Sequence, residues 1–169
     1  MPKVGMEPVR RAQLIDATCE SIFQYGLGDT TINKISRLAG VSTGIISHYF
    51  GGKNDLVEAT MYKILIDLGD AVSSRVQQAV TPREKTWVII EGNFSYHQTS
   101  ARFVTSWLAF WSQAMHVTSL AKLQNVNKRQ LKSNLVFWYR RLLPLQEAKM
   151  VAGGMAALID GLWLRGAFE

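Results

Sequence analysis

The sequence predicts an all-α protein in two parts. Residues 1–52 form a three-helix unit with a helix-turn-helix, and residues 53–169 form a larger helical bundle. Three observations predict this. Apolar residues recur at three- and four-residue intervals through most of the chain, the period of a helix with one buried face. Hydroxyl residues precede several of these segments, and glycine or proline follows them, as helix caps require. No segment alternates apolar and polar residues between turn signals, the pattern of a half-buried strand.

Composition sets the outer limits. Of 169 residues, 47% are apolar, enough for a sizeable core and too many for a disordered chain. A formal net charge of +6 suits a polyanionic partner. That excess does not lie in the first part, where residues 1–53 carry six Lys/Arg and four Asp/Glu, a net of +2. The richest basic run is residues 122–141, with six Lys/Arg and no acid. Cys19 is the single cysteine, which excludes an intramolecular disulfide framework and fits a reducing cytosol. A secretory leader is not expected, nor is a run near the ~20 apolar residues of a membrane span. A cytoplasmic protein without a membrane partner is therefore expected.

Residues 1–7 read as an unstructured arm. Lys3, Arg10 and Arg11 are placed to reach a nucleic-acid backbone or minor groove, or, for Lys3, to be a solvated end. The first helix is expected from Pro8, where a missing amide does no harm, to Gly26. Its apolar stripe is Ile15, Cys19, Ile22 and Phe23. Thr30 or Thr31 then caps a short second helix in which Ile32, Ile35 and Ala39 share one edge. Gly40 suits a left-handed C-cap, Val41 anchors the turn, and Ser42 caps a third helix over residues 43–49. That helix turns Ile46 and Phe50 inward and Thr43, Gly44, Ser47 and His48 outward. Two short helices about a glycine turn form either a DNA-binding helix-turn-helix or an ordinary helical hairpin. Short side chains at the start of the second one let backbone approach base edges and phosphates, and its N-terminus favours an anion.

A long helix is expected over residues 53–79, with a stripe of Val57, Met61, Ile64, Leu65, Leu68 and Val72. Running from the reader to a distant end, it is a natural lever. Lys53 in its first turn opposes the helix dipole. Thr81-Pro-Arg-Glu84 is a capping box with proline at the first helical position, opening a helix over residues 84–98. Thr99 and Ser100 cap a segment to residue 115. A basic amphipathic helix follows over residues 118–142 and stops at Pro144. The last helix, residues 145–168, contains small residues (Gly153, Gly154, Ala157, Gly161) that permit close approach by another helix.

Ile35-Ser-Arg-Leu-Ala-Gly-Val-Ser-Thr-Gly44 and His48-Tyr-Phe-Gly-Gly-Lys-Asn-Asp-Leu56 resemble the DNA-binding region of the TetR family of bacterial one-component repressors, over about residues 10–60. The resemblance implies a homodimer on a pseudo-palindromic operator. Ser42, Thr43, Gly44 and Ser47 would read bases, and Lys34, His48, Tyr49 and Lys53 would hold phosphates, with Thr31 beside them. Two departures stand out: Ser47 where an aromatic residue is common, and Gly51-Gly52 in place of a polar pair.

Beyond residue 81 aromatic residues are frequent, and most must be core. Trp107 and Trp111 lie one turn apart, Asp160 and Trp163 share a face at i and i+3, and Glu91 adds an acid. An apolar cavity with indoles and one carboxylate suits a small organic cation, since ring faces attract positive charge by ~0.5–2 kcal/mol each. A quaternary ammonium leaves no N–H unsatisfied. The plainer role for Asp160 is an ion pair with Arg165 or a cap contact. Trp107-Leu-Ala-Phe-Trp111, Ser133-Asn-Leu-Val136 and Ala157-Leu-Ile-Asp-Gly-Leu-Trp-Leu-Arg165 are similar to the choline-responsive repressors of glycine betaine synthesis within that family. The similarity implies choline as inducer and Trp107, Trp111, Asp160 and Trp163 as its ligand set. Such repressors usually continue through another interface helix beyond the position of Glu169, so this chain is expected to lack a final helix or to pair through the helix before it. A multidrug or organic-cation sensor of the same family is the alternative. The three histidines (His48, His97, His116) form no triad or metal spacing with Cys19 or the acids, so neither enzyme activity nor a cofactor is expected.

Overall fold

The computed structural model describes residues 6–94 and 99–168, which form eight helices and no strand. They are α1 (Met6–Asp29), α2 (Ile32–Ala39), α3 (Thr43–Phe50), α4 (Lys53–Gln78), α5 (Pro82–Gly92), α6 (Ala101–Ala114), α7 (Thr118–Tyr139) and α8 (Leu145–Gly166). Lys3 and the first five residues of the expected arm lie outside the described residues, as do Tyr96, His97 and the end of the helix expected to run to Gln98.

Local chemistry explains most boundaries. Thr31 is the N-cap of α2, its hydroxyl accepting from the Lys34 amide at 3.3 Å. Thr30 is fully buried instead, donating to the Gly26 carbonyl at 2.8 Å. Gly40 ends α2 in the left-handed conformation (φ 63°). Gly51 (φ 74°) closes α3, where a Cβ would stand 2.6 Å from an Asp55 carboxylate oxygen. The capping box at α5 is complete: Thr81 accepts from the Glu84 amide, and Glu84 accepts from the amides of Thr81 and Val80. Those backbone donors hold the Glu84 carboxyl below its usual pKa.

Several expectations are corrected. Met6 and Glu7 are helical, and α1 continues to Asp29 through a break at Gly26 (φ 73°, ψ 164°). Its buried face is Leu14, Ala17, Thr18, Ser21 and Ile22, while Phe23 is 43% exposed. The face is rotated because α1 is wedged between the motif helices and α6. The helix opened by the capping box ends at Gly92, with Asn93 as its cap, six residues early. There a Cβ on Gly92 would stand 2.8 Å from Val72, so α5 crosses α4 where only glycine fits. The glycines of α8 meet nothing of this kind: an ideal Cβ on Gly153, Gly154 or Gly161 has open space around it.

Two helices run through both parts of the molecule. Leu14 and Ala17 of α1 and Leu56 of α4 join Ile35, Ala39, Ile46 and Phe50 in a small core beneath the motif. Further along, Ile22 of α1 and Met61 and Ile64 of α4 enter a second core with Trp107, Phe110, Leu120, Ile159 and Trp163. Leu68 and Val72 continue into a third with Ile89, Leu135 and Ala152.

Candidate DNA interface and ligand pocket

The outward face of α3 is built as its sequence predicts. Ser42, Thr43, Gly44, Ser47 and His48 are exposed, while Ile46 and Phe50 are buried at 0% and 6%. Ser42 takes the N-cap position with extended backbone, yet its hydroxyl caps no amide, which leaves the first turn of α3 open to an external acceptor. Tyr49 is half-buried and packs edge-on against His48, with ring centroids 4.8 Å apart. Thr31 is exposed beside this face. Lys34 is folded back, donating to the Asp29 carbonyl at 2.9 Å and lying 4.2 Å from the Tyr25 ring. Lys53 makes a long contact of 3.4 Å with the Leu27 carbonyl.

Arg11 does not face outward as a basic arm. Its guanidinium donates to the Tyr49 carbonyl at 2.6 Å and lies 4.2 Å from the Phe50 ring, near Glu7 at 4.0 Å. Gln13, linked to Arg10 at 2.7 Å, donates to the Ala39 carbonyl at 2.5 Å. Thus α1 supplies a donor to a terminal carbonyl of each motif helix, groups that a helix end leaves orphaned. No spacing in the sequence marks these long-range partners.

The expected ligand residues separate. Trp107 and Trp163 are 3% and 6% exposed and pack together, centroids 6.4 Å apart, with Phe103 and Phe94 against them. Trp111, 6.2 Å from Trp107, and Asp160 instead reach a pocket of about 400 Å³ between α6, α7 and α8. Ala114, Met115, Ala121, Gln124, Asn125 and Lys128 complete its wall. Glu91 is exposed on α5 and is not part of that wall. The α7 residues follow a helical stripe (121, 124, 125, 128), a signal present in the sequence but masked there by the surrounding basic run.

Asp160 is half-buried and forms no ion pair within 4.0 Å among the described residues. Desolvation raises its carboxyl pKa, and the charge of Lys128, rather than Arg165, opposes that rise. Two other cavities offer less to a cation. One of about 280 Å³ between α4, α5 and α7 is lined by amides and apolar groups with no charged residue. Another, of about 620 Å³, holds Asp16 and Asp67, but these already pair with Arg102 and Lys63. Arg102 of α6 also donates to the Asp16 carbonyl at 2.8 Å and lies 3.6 Å from Glu20, so α6 is tied to α1. Cys19 sits in the same cavity, its thiol pKa pushed up by burial.

Comparison with known proteins places this arrangement. The profile of the C-terminal domain of the BetI-type transcriptional repressor matches residues 82–169, and that of the bacterial regulatory proteins of the tetR family matches residues 14–60. The HTH-type transcriptional regulator BetI 1 of Chromohalobacter salexigens is 56% identical, over 99% of this chain and 83% of its own length. The chain belongs to the BetI-type branch of the TetR family. A second BetI regulator, from Pseudomonas fluorescens, is 54% identical over 100% of this chain and 87% of its own. The TetR fold is equally clear in solved structures. A transcriptional regulator from Pseudomonas aeruginosa PAO1 superposes with a TM-score of 0.84 at 25% identity, covering 96% of this chain and 81% of that one. A regulator from Saccharomonospora viridis, solved in complex with choline, gives 0.82 at 18% identity, covering 94% and 85%. BetI-type proteins are transcriptional repressors, so DNA binding follows from the family. Among the described residues of this repressor, no helix is long and apolar enough to cross a membrane.

Proposed function

We propose that this repressor is relieved by choline and controls genes that convert choline to glycine betaine. The observation that carries this reading is the pocket between α6, α7 and α8, where Asp160 and Trp111 meet without an ion pair to the acid. A trimethylammonium group spreads its charge over methyls, which suit an indole face, and has no N–H to leave unpaired. The choline complex of the Saccharomonospora viridis regulator supports the same ligand class. In this reading Trp111 and Asp160 touch the cation, Trp107 and Trp163 support Trp111 from behind, and Glu91 has no part.

Residues 1–52 act as the DNA-binding unit and residues 53–169 as the ligand-binding and dimerisation unit. Ser42, Thr43, Gly44 and Ser47 meet bases; Thr31, Lys34, His48, Tyr49 and Lys53 meet the backbone. Two copies pair through the outer face of α8, where Leu158 and Leu162 are 53% and 45% exposed beside Gly154, Ala157 and Gly161. Choline shifts the spacing of the two readers relative to the ~34–36 Å groove repeat. It does so only by binding one arrangement more tightly than the other.

The test is a titration of tryptophan fluorescence and of DNA release, with choline and with its uncharged tert-butyl analogue. The operator is first selected by the protein from random duplexes. Choline alone is expected to quench and to release DNA. An equal response to both compounds refutes a cation site.

A further inference from the structure

We infer that the groove between α4, α5 and α7 binds a neutral polyol of monosaccharide size. The groove shares no lining residue with the cation pocket, and the inference does not depend on the reading of that pocket. Along α7 its wall is Asn127, Gln130, Leu131, Asn134 and Trp138, the spacing of a single helix face. Residues 122–141 hold six Lys/Arg and no acid, yet none of those basic residues lines the groove. Ser73 and Gln77 of α4 and Asn93 at the end of α5 complete its polar set. Asn93 is buried and donates to the Ile89 carbonyl at 2.7 Å, which leaves its side-chain oxygen without a partner among the described residues. The side chains of Ser73, Gln77, Asn127, Gln130 and Asn134 make no hydrogen bond to any described residue. Gln130 reaches across toward α4, its Nε2 lying 3.8 Å from where a Cβ on Gly69 would stand. The floor is apolar and buried, formed by Leu68, Val72 and Ile89. At the Trp138 end Lys85 is already engaged, donating to the Val76 carbonyl at 2.7 Å and lying 5.0 Å from the Trp138 ring.

The lining narrows the ligand. A side-chain amide offers a donor and an acceptor side by side, and a hydroxyl group uses both. A carboxylate, phosphate or ammonium would give up solvation with no opposite charge in the wall to replace it. A hydrocarbon would cover the floor and leave the amides without partners. A pyranose or cyclitol ring carries hydroxyls at its edge and C–H groups on its faces, so the edge meets the amides while a face meets Leu68, Val72 and Ile89. Size follows from volume: about 280 Å³ stands at the lower limit of small-molecule pockets, ~300–1,000 Å³, which suits one such ring. From the groove α4 runs on to Leu56 in the core beneath the motif, so a ligand bridging α4 and α7 restrains the helix that leads to the reader.

The experiment is an NMR titration of the isotope-labelled full chain with myo-inositol and glucose, beside glucuronate and glucosamine, at a mildly acidic pH where the last two carry one negative and one positive charge. Saturable shifts are expected for the neutral pair at the side-chain amides of Asn127, Gln130 and Asn134 and at the Trp138 indole. The charged pair is expected to bind about tenfold more weakly, or not at all. Gln130→Leu is expected to weaken binding of the neutral pair about tenfold, while its choline titration matches that of the native protein. Shifts that rise without saturating, or that scatter outside the groove, overturn the site. Equal binding of neutral and charged sugars overturns the assigned class. The four-ligand comparison is made on the native protein and does not depend on the folding of the variant.

Discussion

Replacing Arg11 by methionine tests how the recognition helix is held. Methionine keeps an apolar stem over the Phe50 ring but removes the donor to the Tyr49 carbonyl and the charge over the ring. A hydrogen bond from a charged group contributes about 1.5–3 kcal/mol, and an exposed cation–π contact about 0.5–1 kcal/mol. Because the Arg11 side chain is 40% exposed, the low end of each range applies, for a loss of about 2 kcal/mol. In a chain of this size, 1 kcal/mol moves Tm by roughly 2–4 °C, so the expected fall is about 4–8 °C by circular dichroism. Operator affinity is expected to weaken as the tilt of α3 loosens. Its salt dependence should not change, because an Arg11 that caps Tyr49 neutralises no phosphate. Lys53→Ala is the contrast, with an expected decrease of about one in the salt slope. An Arg11→Met slope that also drops by about one, with an unchanged Tm, would refute the assignment and return Arg11 to the DNA backbone.

Two further outcomes follow from the ligand side. Asp160→Asn should weaken choline binding about tenfold or more through loss of the opposite charge, while making the ligand-free protein more stable at neutral pH. The sign follows from burial: the folded state holds the Asp160 proton more readily than the unfolded state, so this group's contribution to stability declines as pH rises through its raised pKa. For the same reason choline affinity in the native protein should begin to fall, on acidification, at a higher pH than an exposed aspartate would give. Paired melting and binding curves from acid to neutral pH check both. Gly92→Ala forces a methyl to within 2.8 Å of Val72 Cγ2, an overpacking that costs about 1–3 kcal/mol. It should lower Tm by several degrees; an unchanged Tm would mean that α5 slides on α4 without penalty.

The parts of the molecule set by neighbouring residues were legible in the sequence. Gly40, Thr81 with Glu84, and Ser100 act within a few residues of themselves, and each ends or starts a helix where local chemistry places it. The outward set on α3 was legible for the same reason, since a two-turn helix with Ile46 and Phe50 inside has one remaining face. What depends on a third dimension was not. Phe23 follows the expected stripe of α1, yet α6 and the motif helices rotate that stripe away from it. Trp107, Trp111 and Trp163 are alike in sequence. Only packing decides that two are core and one reaches the pocket, and only packing brings Gln124 and Lys128 to Asp160.

The shared helices have a consequence for how the protein opens. Because α1 contributes to two of the three cores and α4 to all three, no cut between the reader and the bundle spares both. Local opening of one part must strip apolar partners from the other, so the two form a single cooperative unit rather than separate foldons. Protection of α3 amides against hydrogen exchange is then a property of the whole chain. A molecule bound between α6, α7 and α8 raises it without touching α3, by the same mass action that stabilises the fold.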